Sequence, residues 1–235
     1  MPLQALFFDA AGTLIQPAEP VGQTYARFAQ QHGIALEPKG IMQAFRAAWK
    51  ETPPPFHPID QPSADDDRSW WRALVGTVFA HMLGTPLAED RLEDLFSELY
   101  QHYAQPQAWS VFDDVVPALS DLAQDHRLLV LSNFDRRLCR ILAGHGLLRF
   151  FEHVILSSET GAAKPHPRMF QAALTACGCL PENSLHIGDD MNCDIAGAQS
   201  CGIHAFQVKR PQNGLEVLVQ KVRSGAYSGL RNARI

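Results

Sequence analysis

The apolar pattern opens with Ala5-Leu6-Phe7-Phe8, an unbroken run after Gln4 that stops at Asp9. A run this short, apolar at every position, predicts a strand covered on both faces. Gly12 then permits a tight turn. From Pro20 to Gly33 apolar residues return at helical spacing (Val21, Tyr25, Phe28, Ala29), and Pro38 opens a second helix carrying Ile41, Met42, Phe45 and Trp49. Thr52-Pro53-Pro54-Pro55, followed by Pro58 and Pro62, predicts a stiff loop, because proline removes a donor and fixes the backbone. Asp65-Asp66-Asp67 offers an acidic start for a helix through Trp70, Trp71, Leu74, Val75, Val78 and Met82 that stops at Gly84. A further helix is expected from about Ala88 to Tyr103.

Past Trp109 the pattern changes to alternation. Helix Asp114 to Gln124 precedes strand Leu128-Leu129-Val130-Leu131, and helix Arg136 to Gly144 precedes strand Val154-Ile155-Leu156. Helix Pro167 to Cys177 precedes strand Ser184-Leu185-His186-Ile187, and helix Asn192 to Ser200 precedes strand Ile203 to Val208. Such alternation means βαβ units and a parallel sheet. The expected architecture is α/β: a Rossmann-like parallel sheet flanked by helices, built from residues 1–16 and 107–235, with an all-helical domain inserted over 17–106. Beyond about Lys221 the chain is polar and aperiodic, and a frayed end is expected.

Composition narrows the classes. A formal net charge of -5, with 46% hydrophobic and 19% charged residues, describes an ordinary globular chain and gives no sign of a nucleic-acid or membrane-surface binder. No apolar run is long enough to span a bilayer, and Asp9 interrupts the first one, so neither a membrane span nor a secretory signal is expected. The five cysteines show no paired Cys-x-x-Cys spacing; free thiols and a cytoplasmic setting are expected. Cys177-Gly178-Cys179 could bind a metal or form a redox pair, but free thiols are the expectation there too.

The candidate chemistry lies at the strand ends, where an open parallel sheet binds its ligands. The first strand ends in Asp9 and the second in Ser132-Asn133; Lys164-Pro165 follows the third, and the fourth runs into Gly188-Asp189-Asp190 with Asp194 close behind. Singly, each has a plain structural reading as a cap, a turn or a surface loop. Together they supply a nucleophilic carboxylate, a hydroxyl, an ammonium and an acidic cluster able to hold a divalent cation, the set that phosphoryl transfer requires.

Four segments in this order resemble the motifs of the haloacid dehalogenase-like hydrolases: Leu6-Phe7-Phe8-Asp9-Ala10-Ala11-Gly12-Thr13-Leu14, Leu131-Ser132-Asn133, Lys164-Pro165, and Ile187-Gly188-Asp189-Asp190 through Asp194. The helical block stands where that family carries its mobile cap. The resemblance implies Asp9 as nucleophile, with Ser132 and Lys164 as catalytic phosphate-binding groups. It implies a substrate cradle of Gly12, Thr13, Ser132, Asn133 and Lys164. Mg2+ would be held by Asp9, the backbone carbonyl of Ala11 and Asp189, and Asp190 or Asp194 would reach it directly or through water. The implied substrate is a small phosphorylated metabolite; monomer and homodimer both stay open.

One position departs from the phosphatases of that family, which usually carry a second aspartate where this chain has Ala11. That carboxyl protonates the leaving group, and general acid–base catalysis contributes about 10²–10⁴-fold. Three readings follow. Another group (Glu19, His57 or the Asp65 to Asp67 run) replaces it, or the leaving group is good enough to need no help. The chemistry is instead dehalogenation, or phosphonate hydrolysis through a cap lysine, for which Lys39 and Lys50 are the candidates. Or the chain binds a phosphorylated ligand with little turnover. The inserted helices are expected to close over the site, with hinges near Gln16 to Pro20 and Pro106 to Trp109. Trp49, Trp70 and Trp71 can line its pocket or pack in a core, and Phe134 and Asp135 can face the cap.

Overall fold

The computed structural model describes residues 2–53, 55 and 61–227. His57 and Pro58 lie outside the described residues, as does the end of the chain beyond Tyr227. The chain begins with β1 (Ala5–Phe8) and the short β2 (Ile15–Pro17), followed by four helices: α1 (Val21–Gln31), α2 (Pro38–Glu51), α3 (Arg68–Leu83) and α4 (Glu89–His102). It returns through β3 (Trp109–Val111), which pairs with β2 in a separate two-stranded sheet. The remainder alternates: α5 (Val115–Leu122), β4 (Arg127–Ser132), α6 (Arg137–Gly144), β5 (His153–Leu156), α7 (Ser157–Thr160), α8 (Pro167–Cys177) and β6 (Ser184–Gly188). A π-helical segment, Met191–Ala196, then leads into α9 (Gly197–Ser200), β7 (His204–Gln207) and α10 (Leu215–Arg223).

The described chain divides into two compact units, one containing the stretches 2–16, 61–62 and 111–227, the other 17–53 and 63–110. The first holds a parallel five-stranded sheet of order β5-β4-β1-β6-β7. β1 lies at its centre, with Leu6 opposite Leu128 on one side and Leu185 on the other. Alternate side chains leave opposite faces of a strand. Phe7, Leu129 and Leu131 pack with Met169, Phe170, Ala173 and Ile203, while Leu6, Phe8 and Val130 point the other way and are just as buried. Burial on both faces is why these strands carry unbroken apolar runs.

The second unit has its own core, in which Tyr25, Ile41, Leu74, Val78, Phe79, Leu95, Phe96 and Leu99 pack together. Tyr25 stacks on Phe79 with ring centroids 6.1 Å apart. Gly84 ends α3 in the left-handed conformation. The acidic run enters α3 differently from the expectation. Asp66 and Asp67 take positive φ, the helix begins at Arg68, and Asp65 caps it by accepting the Ser69 N–H at 2.9 Å. No helix among the described residues is long and apolar enough to cross a membrane.

Candidate active site

β1 delivers Asp9 to the carboxyl end of the central strand, and the Asp9 N–H continues the ladder by donating to the Ile187 carbonyl at 2.8 Å. The loop that follows is closed on itself: the N–H groups of Thr13, Leu14 and Ile15 all donate to the Ala10 carbonyl, and Gly12 N–H donates to Ile15. Gly12 takes φ +92°, and a Cβ there would lie 2.6 Å from an Asp189 carboxylate oxygen, so only glycine fits. The N–H groups of Gly12 and Thr13, two residues of the expected substrate cradle, close this turn. The Thr13 hydroxyl makes a long 3.5 Å contact to Asp189.

Around Asp9 the motifs converge. Ser132 Oγ donates to Asp9 Oδ1 at 3.1 Å, and Lys164 Nζ donates to the same oxygen at 2.8 Å. Lys164, buried to 4% exposure, also donates to Asp194 Oδ1 at 2.6 Å. Asn133 holds the Lys164 backbone from both sides, its Nδ2 donating to the Lys164 carbonyl at 2.9 Å and its Oδ1 accepting the Lys164 N–H at 2.7 Å. Asn133 therefore orients the lysine.

The fourth motif folds as a π-helical turn, the wider spiral frequent at functional sites. Asp190 O accepts both Asp194 N–H and Ile195 N–H. The two aspartates offered there as alternatives part company. Asp190 turns its Oδ1 back to accept the N–H groups of Asn192 and Cys193, capping the segment. Asp194 points inward, so that carboxylate oxygens of Asp9, Asp189 and Asp194 lie within 4.8 Å of one another. A Cβ on Gly188 would overlap the Asp194 carboxyl carbon, so glycine is needed there too.

Burial raises the pKa of Asp9, with Lys164 working against it. Lys164 also shifts upward: burial disfavours its ammonium, but Asp9 and Asp194 outweigh that cost. Asp194 stays below the usual carboxylate range, because Lys164 and His186 overcome its burial. Asp189 is pushed up to about 6 by partial burial and by the charges of Asp9 and Asp194.

Two further residues of this region go beyond the sequence reading. His186, wholly buried on β6, contacts Asp194 Oδ1 through Nε2 at 2.9 Å, while its Nδ1 has no partner. Burial lowers its pKa, consistent with a neutral ring donating from Nε2. A polar residue inside an apolar buried strand was its signal. Arg210 binds Asp114 and the loop after Asp9, and no motif points to it. Other expectations find structural uses. Asp135 is buried against Arg137 at 2.6 Å. Glu19 accepts from Thr24 and Arg27, which lower its pKa and hold it charged. Lys39 and Lys50 are exposed. Trp49, half exposed, packs with Trp70 and Trp71.

A family model described as haloacid dehalogenase-like hydrolase matches residues 3–202. The human haloacid dehalogenase-like hydrolase domain-containing protein 3 is 35% identical over 89% of this chain and 83% of its own length. Among solved structures, the L-2-haloacid dehalogenase of Xanthobacter autotrophicus superposes with a TM-score of 0.66 at 25% identity, covering 97% of this chain and 85% of that one. A Bacillus subtilis HAD-hydrolase bound to magnesium superposes with a TM-score of 0.69 at 19% identity, covering 95% and 100%. This chain, with its parallel sheet and its four motifs gathered at the strand ends, belongs to the haloacid dehalogenase-like hydrolases.

Proposed function

We propose that the chain is a Mg2+-dependent phosphohydrolase that moves the phosphoryl group of a small phosphorylated molecule onto Asp9 and then to water. The observation that supports this reading is the convergence of Asp9, Asp189 and Asp194 within 4.8 Å beside the single ammonium of Lys164. Three carboxylates around one lysine leave negative charge uncompensated, and their hard oxygens are the donor set a small divalent cation takes. Metal-free dehalogenation would leave Asp9, Asp189 and Asp194 with Lys164 as their shared cation.

Asp9, Asp189 and the Ala11 carbonyl would hold the ion directly. Asp194, whose oxygens also accept from Lys164, His186 and the Asp190 N–H, would steady the lysine and complete the set directly or through water. When bound, Mg2+ supplies the positive charge that lets an anionic phosphate approach a carboxylate. The chain's own groups do the rest. Asp9 attacks phosphorus, the bond to the leaving oxygen breaks, and water then cleaves the aspartyl-phosphate to restore Asp9. Ser132 Oγ and Lys164 Nζ stand where they can hold phosphate oxygens, with Asn133 fixing the lysine. The helical unit, residues 17–106 by sequence, takes the role of the family's cap domain.

The test is hydrolysis of a panel of phosphorylated metabolites with Mg2+ or with chelator, Asp9→Asn serving as control. Turnover that needs Mg2+ and vanishes in Asp9→Asn is expected. Halide release from 2-haloacids in chelator would replace this reading with dehalogenation. Thermal stabilisation by phosphate compounds without turnover would replace it with ligand binding.

A further inference from the structure

Outside the motifs, Arg210 of the α/β unit lies eight residues beyond the span that the family model matches and is held by several partners. Its Nε donates to both Asp114 oxygens, at 3.2 and 3.1 Å, and its Nη2 to Asp114 Oδ1 at 2.8 Å. The same guanidinium reaches past Asp114 to the backbone, with Nη1 donating to the Gly12 carbonyl at 3.3 Å and Nη2 to the Thr13 carbonyl at 2.9 Å. It lies 3.9 Å over the Phe112 ring. Asp114 is fixed in turn by the Leu215 N–H at 2.8 Å.

The carbonyls of Gly12 and Thr13 belong to the same peptide groups as the N–H groups of Thr13 and Leu14. Those N–H groups donate to Ala10 O, at 3.2 and 2.7 Å. Two consecutive peptide planes are thus gripped at both ends, by the Ala10 carbonyl on one side and the Arg210 fork on the other. A planar fork with several fixed donors spans a carboxylate and two carbonyls at once, whereas a lysine ammonium carries its three donors on one atom without that fixed spread.

We propose that Arg210 is a positioning residue for the nucleophile loop: braced by Asp114 and Phe112, it fixes the peptide planes after Ala11, and through them the Ala11 carbonyl and the approach of Gly12 to Asp189. This rests on the reading of that loop as the place where Asp9 and the cation act. Misplacing a reacting group by about 1 Å can cost about 10²-fold in rate, so the arginine matters to turnover without touching substrate.

The experiment compares wild type with Arg210→Gln, Arg210→Lys and Asp114→Asn in the full chain. Arg223→Gln, which removes an exposed ion pair with Asp121, controls for simple loss of stability. Three quantities are read well below the melting temperature: hydrogen exchange of the Thr13, Leu14 and Ile15 amides, Mg2+ affinity by calorimetry, and kcat on p-nitrophenyl phosphate. Arg210→Gln is expected to speed exchange of those amides at least tenfold, weaken Mg2+ about tenfold and lower kcat about 10²-fold. Arg210→Lys should fall between it and wild type, and Arg223→Gln should move none of the three. If Arg210→Gln does not fold, Arg210→Lys and Asp114→Asn decide. Folded variants that change only in melting temperature overturn the proposal. If wild type binds no Mg2+ but the amides quicken in the variants, the positioning role stands and the metal reading falls.

Discussion

If the chain is the phosphohydrolase proposed above, a methyl group at position 11 leaves its first step without a proton donor from the residue that usually supplies it in related phosphatases. Three other acids of this unit are engaged elsewhere: Asp190 caps its own segment, Asp135 pairs with Arg137, and Asp114 holds Arg210. Leaving groups that depart readily as anions should therefore be favoured. Installing the carboxyl should help most where the leaving group is poor. Ala11→Asp is expected to raise kcat/KM for alkyl phosphates by about 10²-fold and for acetyl phosphate far less. A uniform gain, or none, in a side-by-side substrate series would show that another group already moves the proton. Gly188 makes a second test at this scale. A methyl there would displace the Asp194 carboxyl and release Lys164, so Gly188→Ala should lose at least 10²-fold in kcat while circular dichroism shows the fold intact.

Among the elements, the parallel strands were the most readable, because burial on both faces leaves a compact apolar run between turn signals. Pro167–Cys177 was equally plain, with proline at its start and Gly178 beyond its end. The three-residue strands β2 and β3 are too short to show any period, and α10 buries only Leu215 and Leu218, too narrow a stripe to stand out from the polar tail. At the site, the gathering of Asp9, Ser132, Lys164 and Asp189 was legible from strand-end position. Which of Asp190 and Asp194 joins the carboxylate cluster was not, because it depends on a π-helical turn that spacing alone does not reveal. Nor was the pairing of α3 with α4, where Glu93 accepts from Arg68 at 2.6 Å and Arg72 at 2.7 Å. Hydrogen bonds from these arginines bring the Glu93 pKa down to about 2. A depressed carboxylate contributes stability above its unfolded value near 4.5 and loses it as pH falls toward 2. Glu93 is 42% exposed, so screening keeps its contribution below about 1 kcal/mol. Glu93→Gln should lower the melting temperature slightly at pH 7, and the difference from wild type should vanish as pH approaches 2 and shrink in high salt.

For the molecule as a whole, the chain builds two cores from one interrupted sequence, and its tryptophans are distributed unevenly between them. Trp49, Trp70, Trp71 and Trp109 all fall in the helical unit, whereas Asp9, Asp189 and Asp194 belong to the α/β unit. Tryptophan fluorescence therefore reports the unfolding of one unit, and Mg2+ on the proposed reading acts on the other. A ligand that binds only the folded form stabilises by about 2.7 kcal/mol at a hundred times its Kd. For a unit of this size that moves the melting temperature by roughly 5–10 °C. If each core melts on its own, saturating Mg2+ should raise the midpoint seen by far-UV circular dichroism and split that curve. The fluorescence midpoint should stay where it was. Should both signals shift together by the same amount, the units unfold as one cooperative body, and the stabilising effect of the ion must then be transmitted to a core that does not bind it.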